Sequence, residues 1–192
     1  FFMNALGGTP IYILSLAVQI CSFLLLIRLL LQLVQADFYN PISQTIFKLT
    51  APVVNPMNKL LPTVGTLNLG VLAAAILVKW SFYLIMGLAT GVGILDIIKY
   101  IPVAGFDLLY ALIEVYFWGI FILAISSWVG TTSHPSVQLV GQITEPYLRP
   151  FKRFIPPIGM MDISPMVAIL SLMIIRNKLL PVLGGTVQSL VG

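Results

Sequence analysis

Four long apolar runs dictate what this chain can fold into: roughly Ile11 to Val34, Leu67 to Leu95, Leu108 to Val129 and Ile163 to about Val182. An α-helix needs about 20 apolar residues to cross the hydrocarbon layer of a bilayer, and each run reaches that length. A water-soluble fold would have to cover so much apolar surface with polar side chains. Only 8% of the 192 residues are charged and 59% are hydrophobic, whereas soluble domains carry about 25% charged residues. The runs therefore read as four transmembrane helices of an all-α membrane protein, with no length left for a soluble catalytic domain.

A second constraint is internal. Asn40-Pro41 and His134-Pro135 open two segments that align without gaps at an offset of 94 residues. Pro41/Pro135, Gln44/Gln138, Thr50/Thr144, Pro52/Pro146, Pro56/Pro150, Pro62/Pro156 and Gly65/Gly159 are identical. Lys59/Arg153 and Asn68/Asp162 are conservative replacements. Prolines in register with a glycine mark a tandem duplication, with copies at residues 1–95 and 96–192. Two spans per copy return the chain to its starting side, so the copies form a parallel repeat. Each hairpin is joined by a long connection, Gln35 to Thr66 or Gly130 to Asp162, whereas the middle connection, Asp96 to Asp107, is short. The long connections carry Lys48, Lys59, Arg149, Lys152 and Arg153 against Lys99 in the middle one. Cations stay on the cytoplasmic side, which puts the long connections there. Arg176 and Lys178 run against that bias.

Within the long connections, Asn40 before Pro41 reads as a helix N-cap followed by proline in the first turn, and Ser133-His134-Pro135 starts the second copy in the same way. Pro52 and Pro146 should end these helices, because proline disfavours helix at the residue before it, and a second short helix should follow each. In the second copy Tyr147, Leu148, Phe151, Phe154 and Ile155 recur at helical spacing opposite Arg149, Lys152 and Arg153. This is the pattern of a short amphipathic helix at the membrane interface. Val53, Val54, Met57, Leu60 and Leu61 repeat it in the first copy with Lys59 as the cation. Arg149, Lys152, Arg153 and Lys59 are thus candidate contacts for anionic lipid or a protein partner. Alternatively, the apolar faces pack on the bundle and the cations only set topology. Gly65 and Gly159 should turn the chain before caps at Asn68 and Asp162, with Pro165 tolerated in the first helical turn.

Arg28, Lys79, Glu114 and Arg176 fall within or near the apolar runs, where an unpaired charge costs about 2.5–3.5 kcal/mol. Arg28 and Arg176 are close enough to span ends to snorkel outward. Lys79 and Glu114 are deeper, and consecutive helices usually neighbour each other, so a Lys79–Glu114 pair is expected. It serves either as a structural pair or as a polar or partner-binding site. One cysteine, Cys21, and one histidine, His134, preclude an intramolecular disulfide, a Cys/His zinc site and a paired-histidine haem site. No nucleophile–base arrangement accompanies His134, so no enzyme and no cofactor are expected. The net charge of +4 comes mostly from scattered cations and reads as topogenic rather than as a nucleic-acid surface.

Asp37-Phe38-Tyr39-Asn40-Pro41 with Pro52, Pro56, Pro62 and Gly65, and Thr144-Glu145-Pro146-Tyr147-Leu148-Arg149-Pro150 with Arg153 and Pro156, resemble the paired motifs of the YggT family of bacterial and plastid membrane proteins. The resemblance spans nearly the whole chain. It implies a multi-pass protein of the bacterial inner membrane, with links among relatives to osmotic and potassium stress, cell division and assembly of a plastid cytochrome complex. It implies no catalytic residues. The first copy departs from the stronger motif, with Ala51 at the position of Glu145 and Asn55 at that of Arg149. The expectation is a non-enzymatic protein that organises or assists assembly of a membrane complex, with a membrane protein partner or a second copy. The rival is an ion or osmolyte pathway lined by Lys79, Glu114, Gln19 and Gln32.

Overall fold

The computed structural model describes residues 8–91, 93–155 and 162–189. Helix α1 (Gly8–Leu33) leads to α2 (Pro41–Leu60), a hairpin of strands β1 (Thr63–Val64) and β2 (Leu67–Asn68), and α3 (Leu69–Ala89). A short α4 (Ile94–Ile98) precedes α5 (Ile101–Val129), α6 (Pro135–Phe154) and α7 (Ser164–Ile174). A π-helical turn (Ile175–Leu179) joins α7 to α8 (Leu180–Ser189). Among the described residues, four stretches are long and apolar enough to cross a membrane: Pro10–Leu33, Leu69–Ala89, Ile94–Val129 and Ser164–Ser189.

The duplication is visible bond by bond. Helices α2 and α6 each have 20 residues and coincide at the sequence offset. Asn40 Oδ1 accepts the N–H of Ile42 at 2.9 Å, and His134 Nδ1 accepts that of Ser136 at 3.3 Å. Thr50 Oγ1 donates to Ile46 O at 2.6 Å, as Thr144 Oγ1 does to Val140 O at 2.8 Å. Each of these helices packs on both long helices of its own copy: α2 on α1 and α3, α6 on α5 and α7. Aligned positions build both cores, with Val54 and Ala74 in the first and Leu148 and Ala168 in the second. The copies are joined where α3 meets α5, and at the connections, where Asn40 Nδ2 donates to Pro135 O at 3.0 Å and Asp37 N to Gln142 Oε1 at 3.1 Å.

Several expectations need correction. Pro52 and Pro146 do not end their helices, which run unbroken through Pro52 and Pro56 and through Pro146 and Pro150. All four rings sit on the exposed side. There, carbonyls deprived of an N–H partner can find polar surroundings, so the helix can bend around the core instead of stopping. The apolar faces pack inward: Leu148 is buried and Tyr147 and Phe151 lie against the second core, although Phe154 remains 80% exposed. The middle connection is largely helical, since α5 starts at Ile101 with Pro102 in its first turn. Trp80 Nε1 donates to Ile97 O at 2.9 Å and Tyr100 stacks on Tyr83 at 5.3 Å, which fastens this segment to α3. The fourth helix continues past Val182 and Pro181, and the π turn just before that proline gives its ring room.

The first inter-helix turn follows expectation: Gly65 takes φ 61°, in the left-handed region that favours glycine. Asn68 Oδ1 caps α3 through the N–H of Val71 at 3.0 Å. The counterpart turn around Gly159 lies outside the described residues, but Asp162 Oδ1 accepts the N–H of Ser164 at 2.8 Å.

Candidate functional site

Charges inside apolar helices must be neutralised, bonded or exposed to something polar, so each one shows where function is constrained. Arg28 does not snorkel. It turns inward to 6% exposure, where Nη1 donates to Thr50 Oγ1 at 2.8 Å and Phe47 O at 3.2 Å. Its guanidinium lies 4.7 Å from the centre of the Phe47 ring. Helix α2 supplies uncharged acceptors close by, which a path to the interface would forgo. Arg28 Nε, Gln32 Oε1 and Ser43 Oγ are buried without hydrogen-bond partners among the described residues. The second copy has Ile122 at the position of Arg28.

Glu114 does not pair with Lys79. Its partner is Arg176, whose Nε lies 2.9 Å from Glu114 Oε1 and donates to Tyr110 OH at 3.3 Å. Trp118 Nε1 donates to the other carboxylate oxygen at 3.2 Å. The π turn presents Arg176 to α5, an arrangement absent from the first copy, where Phe82 aligns with Arg176 inside the regular helix α3.

Lys79 nevertheless opens onto the same place. A lateral cleft of 630 Å³ between α1, α3 and α5 is lined by Gln19, Ser22, Lys79, Asp107, Tyr110 and Glu114 among apolar neighbours. Tyr83 OH donates to Asp107 Oδ2 at 2.6 Å. Ala111, which also lines the cleft, sits between Asp107 and Glu114 on one face of α5. Both carboxylates are thus engaged by other groups, and Lys79 makes no ion pair among the described residues. Gln32 does not line this cleft. Asp107 falls in the middle connection by sequence but lies within α5 in the structure. The signal was the spacing of Asp107, Tyr110 and Glu114, which shares one helical face once α5 is extended back to Pro102.

On α6, Lys152 Nζ lies 2.7 Å from Glu145 Oε2. Arg149, Arg153 and Lys59 are exposed and make no ion pair among the described residues. No group of three His, Cys, Asp or Glu side chains that could hold a metal ion occurs among the described residues.

Four membrane-length helices in two matching halves, with charges gathered in a lateral cleft, define a duplicated multi-pass membrane protein. The family model described as CCB3/YggT matches residues 8–89 and 103–183, one copy each. The chain belongs to this CCB3/YggT family. It is 37% identical over 175 residues to the uncharacterised protein PA0392 of Pseudomonas aeruginosa, covering 90% of this chain and 89% of that protein. It is 30% identical over 183 residues to the uncharacterised protein YggT of Escherichia coli strain K12, covering 93% of each. An uncharacterised Haemophilus influenzae protein is 32% identical over 187 residues, covering 94% of this chain and 96% of that protein. No solved structure matches the chain.

Proposed function

We propose that this protein organises a membrane protein complex by receiving a polar transmembrane helix of a partner, or of a second copy, in the cleft of Lys79. The supporting observation is an ammonium group near the midpoint of α3, facing a lateral cleft, that makes no ion pair among the described residues because the two carboxylates of the cleft are engaged by other groups. Left in lipid it costs about 2.5–3.5 kcal/mol, a cost that an incoming carboxylate or amide offsets. The role is non-enzymatic, and its connection to osmotic stress rests on the family resemblance. A photoreactive side chain at Leu16, in the cleft, should capture one defined protein, whereas one at the exposed Leu170 should capture lipid. Equal capture at both sites counts against docking in the cleft.

A second reading, an ion or osmolyte pathway, is favoured by the convergence of Gln19, Lys79, Asp107 and Glu114 on one cleft. Liposome flux under potassium, sodium and proton gradients separates the two, and absence of flux removes the pathway. In either case the proposed setting is a bacterial inner membrane, with both copies oriented alike and α2 and α6 at the cytoplasmic interface. Arg149, Arg153 and Lys59 then face headgroups, each adding about 1 kcal/mol near an anionic surface. Exchanging Arg149 and Arg153 for glutamine should lower retention of anionic lipid more than Lys59→Gln does. Unchanged retention would leave these cations a purely topological role.

A further inference from the structure

The two copies also differ at the joint between the connecting helix and the helix that follows it. In the first, α2 lies directly on the start of α3: a Cβ at Gly70 would collide with Asn58 Oδ1 and sit 3.0 Å from the Asn58 backbone nitrogen. The aligned residues of the second copy are Lys152 and Ser164. There, a cleft of 780 Å³ opens between the last turns of α5, the outer part of α6 and the first turn of α7. Its floor is apolar, from Leu123, Leu148 and Met166, and its rim carries Gln142, Glu145, Lys152 and Asp162. Trp128, 69% exposed, stands beside it.

Because the cleft lies where spans end, its natural occupant is a phospholipid, and the volume falls within the ~300–1,000 Å³ of small-molecule sites. The rim selects among headgroups. Two carboxylates face one lysine, and that lysine is already held by Glu145 at 2.7 Å. Glu145 Oε1 and Asp162 Oδ2 accept no hydrogen bond among the described residues, and the indole of Trp128 lines the same cleft, where its electron-rich face suits a cation. Lys152 keeps donors for a phosphate. We propose that this cleft binds phosphatidylethanolamine, whose primary ammonium meets Glu145, Asp162 and Trp128 while its phosphate meets Lys152, in preference to anionic phosphatidylglycerol. The site is separate from the Lys79 cleft and stands whether or not that cleft receives a partner.

Native mass spectrometry of the purified chain with phosphatidylethanolamine, phosphatidylglycerol and phosphatidylcholine of matched acyl chains tests this. The wild type should retain phosphatidylethanolamine about threefold over either competitor, since a quaternary ammonium has no N–H for the carboxylates. Glu145→Gln with Asp162→Asn turns the rim cationic and should reverse the preference toward phosphatidylglycerol, while asparagine can still accept the N–H of Ser164. Trp128→Ala should weaken phosphatidylethanolamine retention without reversing it. Thermal stability reports the fold of each variant, and should the double variant fail to assemble, the wild-type ratio and Trp128→Ala decide. A wild type that prefers phosphatidylglycerol or shows no preference overturns the proposal, as does a folded double variant with wild-type selectivity.

Discussion

Adding a single methyl group at Gly70 should part α2 from α3 in the first copy. A Cβ built there meets the Asn58 side-chain oxygen and lies 3.0 and 3.1 Å from the Asn58 backbone N and Cα. A side chain can rotate away from such a contact, but backbone within a packed helix cannot. Overpacking of this kind costs about 1–3 kcal/mol, and the backbone neighbour puts Gly70→Ala at the upper end. Gly105, within α5, provides the control, because a Cβ there meets nothing within 4 Å. Gly105→Ala should be neutral or stabilising by up to about 1 kcal/mol through helix propensity. Gly184→Ala belongs between them, since its nearest neighbours are edge atoms of the Phe106 ring at 2.9 and 3.2 Å. Asn58→Ala combined with Gly70→Ala relieves the side-chain clash alone and should recover only part of the loss. Midpoints of heat-induced loss of the monodisperse species in mild detergent give the ranking. A Gly70→Ala variant as stable as Gly105→Ala would falsify the close α2–α3 joint and, with it, the contrast between the copies.

Thr50→Val should cost about 1–3 kcal/mol because it strips the buried Arg28 of its side-chain acceptor, whereas Thr144→Val loses a local helical bond and should cost less than about 1 kcal/mol; denaturation of the two variants compares them directly. Glu114→Gln should destabilise by about 2.5–3.5 kcal/mol through the stranded Arg176, and adding Arg176→Gln should restore much of it, so additive losses in a double-mutant cycle would refute the ion pair. Cysteines placed singly at Asn55 and Gln138, in a background without Cys21, should resist a membrane-impermeant thiol reagent in intact spheroplasts, and ready labelling would invert the proposed topology.

The spans and the duplication were legible because they rest on length and on proline register, which tertiary packing does not alter. Asn40 and His134 were legible as caps for a related reason: an N-cap is local chemistry, complete within three residues. Pro52 and Pro146 misled because their local preference to break a helix is overridden when the ring faces outward and the inner face stays packed, as Val54 and Leu148 do. The charge pairing was not legible. Lys79 and Glu114 do share a cleft, but the choice of Arg176 over Lys79 depends on a π turn that sequence periodicity does not announce. For Arg28 a span considered alone offers no inward acceptor and so points to snorkelling, whereas the acceptors that hold it come from α2.

The most direct test of the docking cleft is to compare the wild type with Lys79→Met, both extracted from cells in native-lipid nanodiscs and weighed intact. Methionine keeps an unbranched side chain and removes the charge, so the bundle should fold without the lysine's cost in lipid. The wild type should carry one defined protein, or a second copy, at fixed stoichiometry, and Lys79→Met should emerge alone. A wild type that is partner-free under several gentle conditions, or a Lys79→Met variant that keeps the same partner at the same ratio, contradicts the role assigned to the cleft.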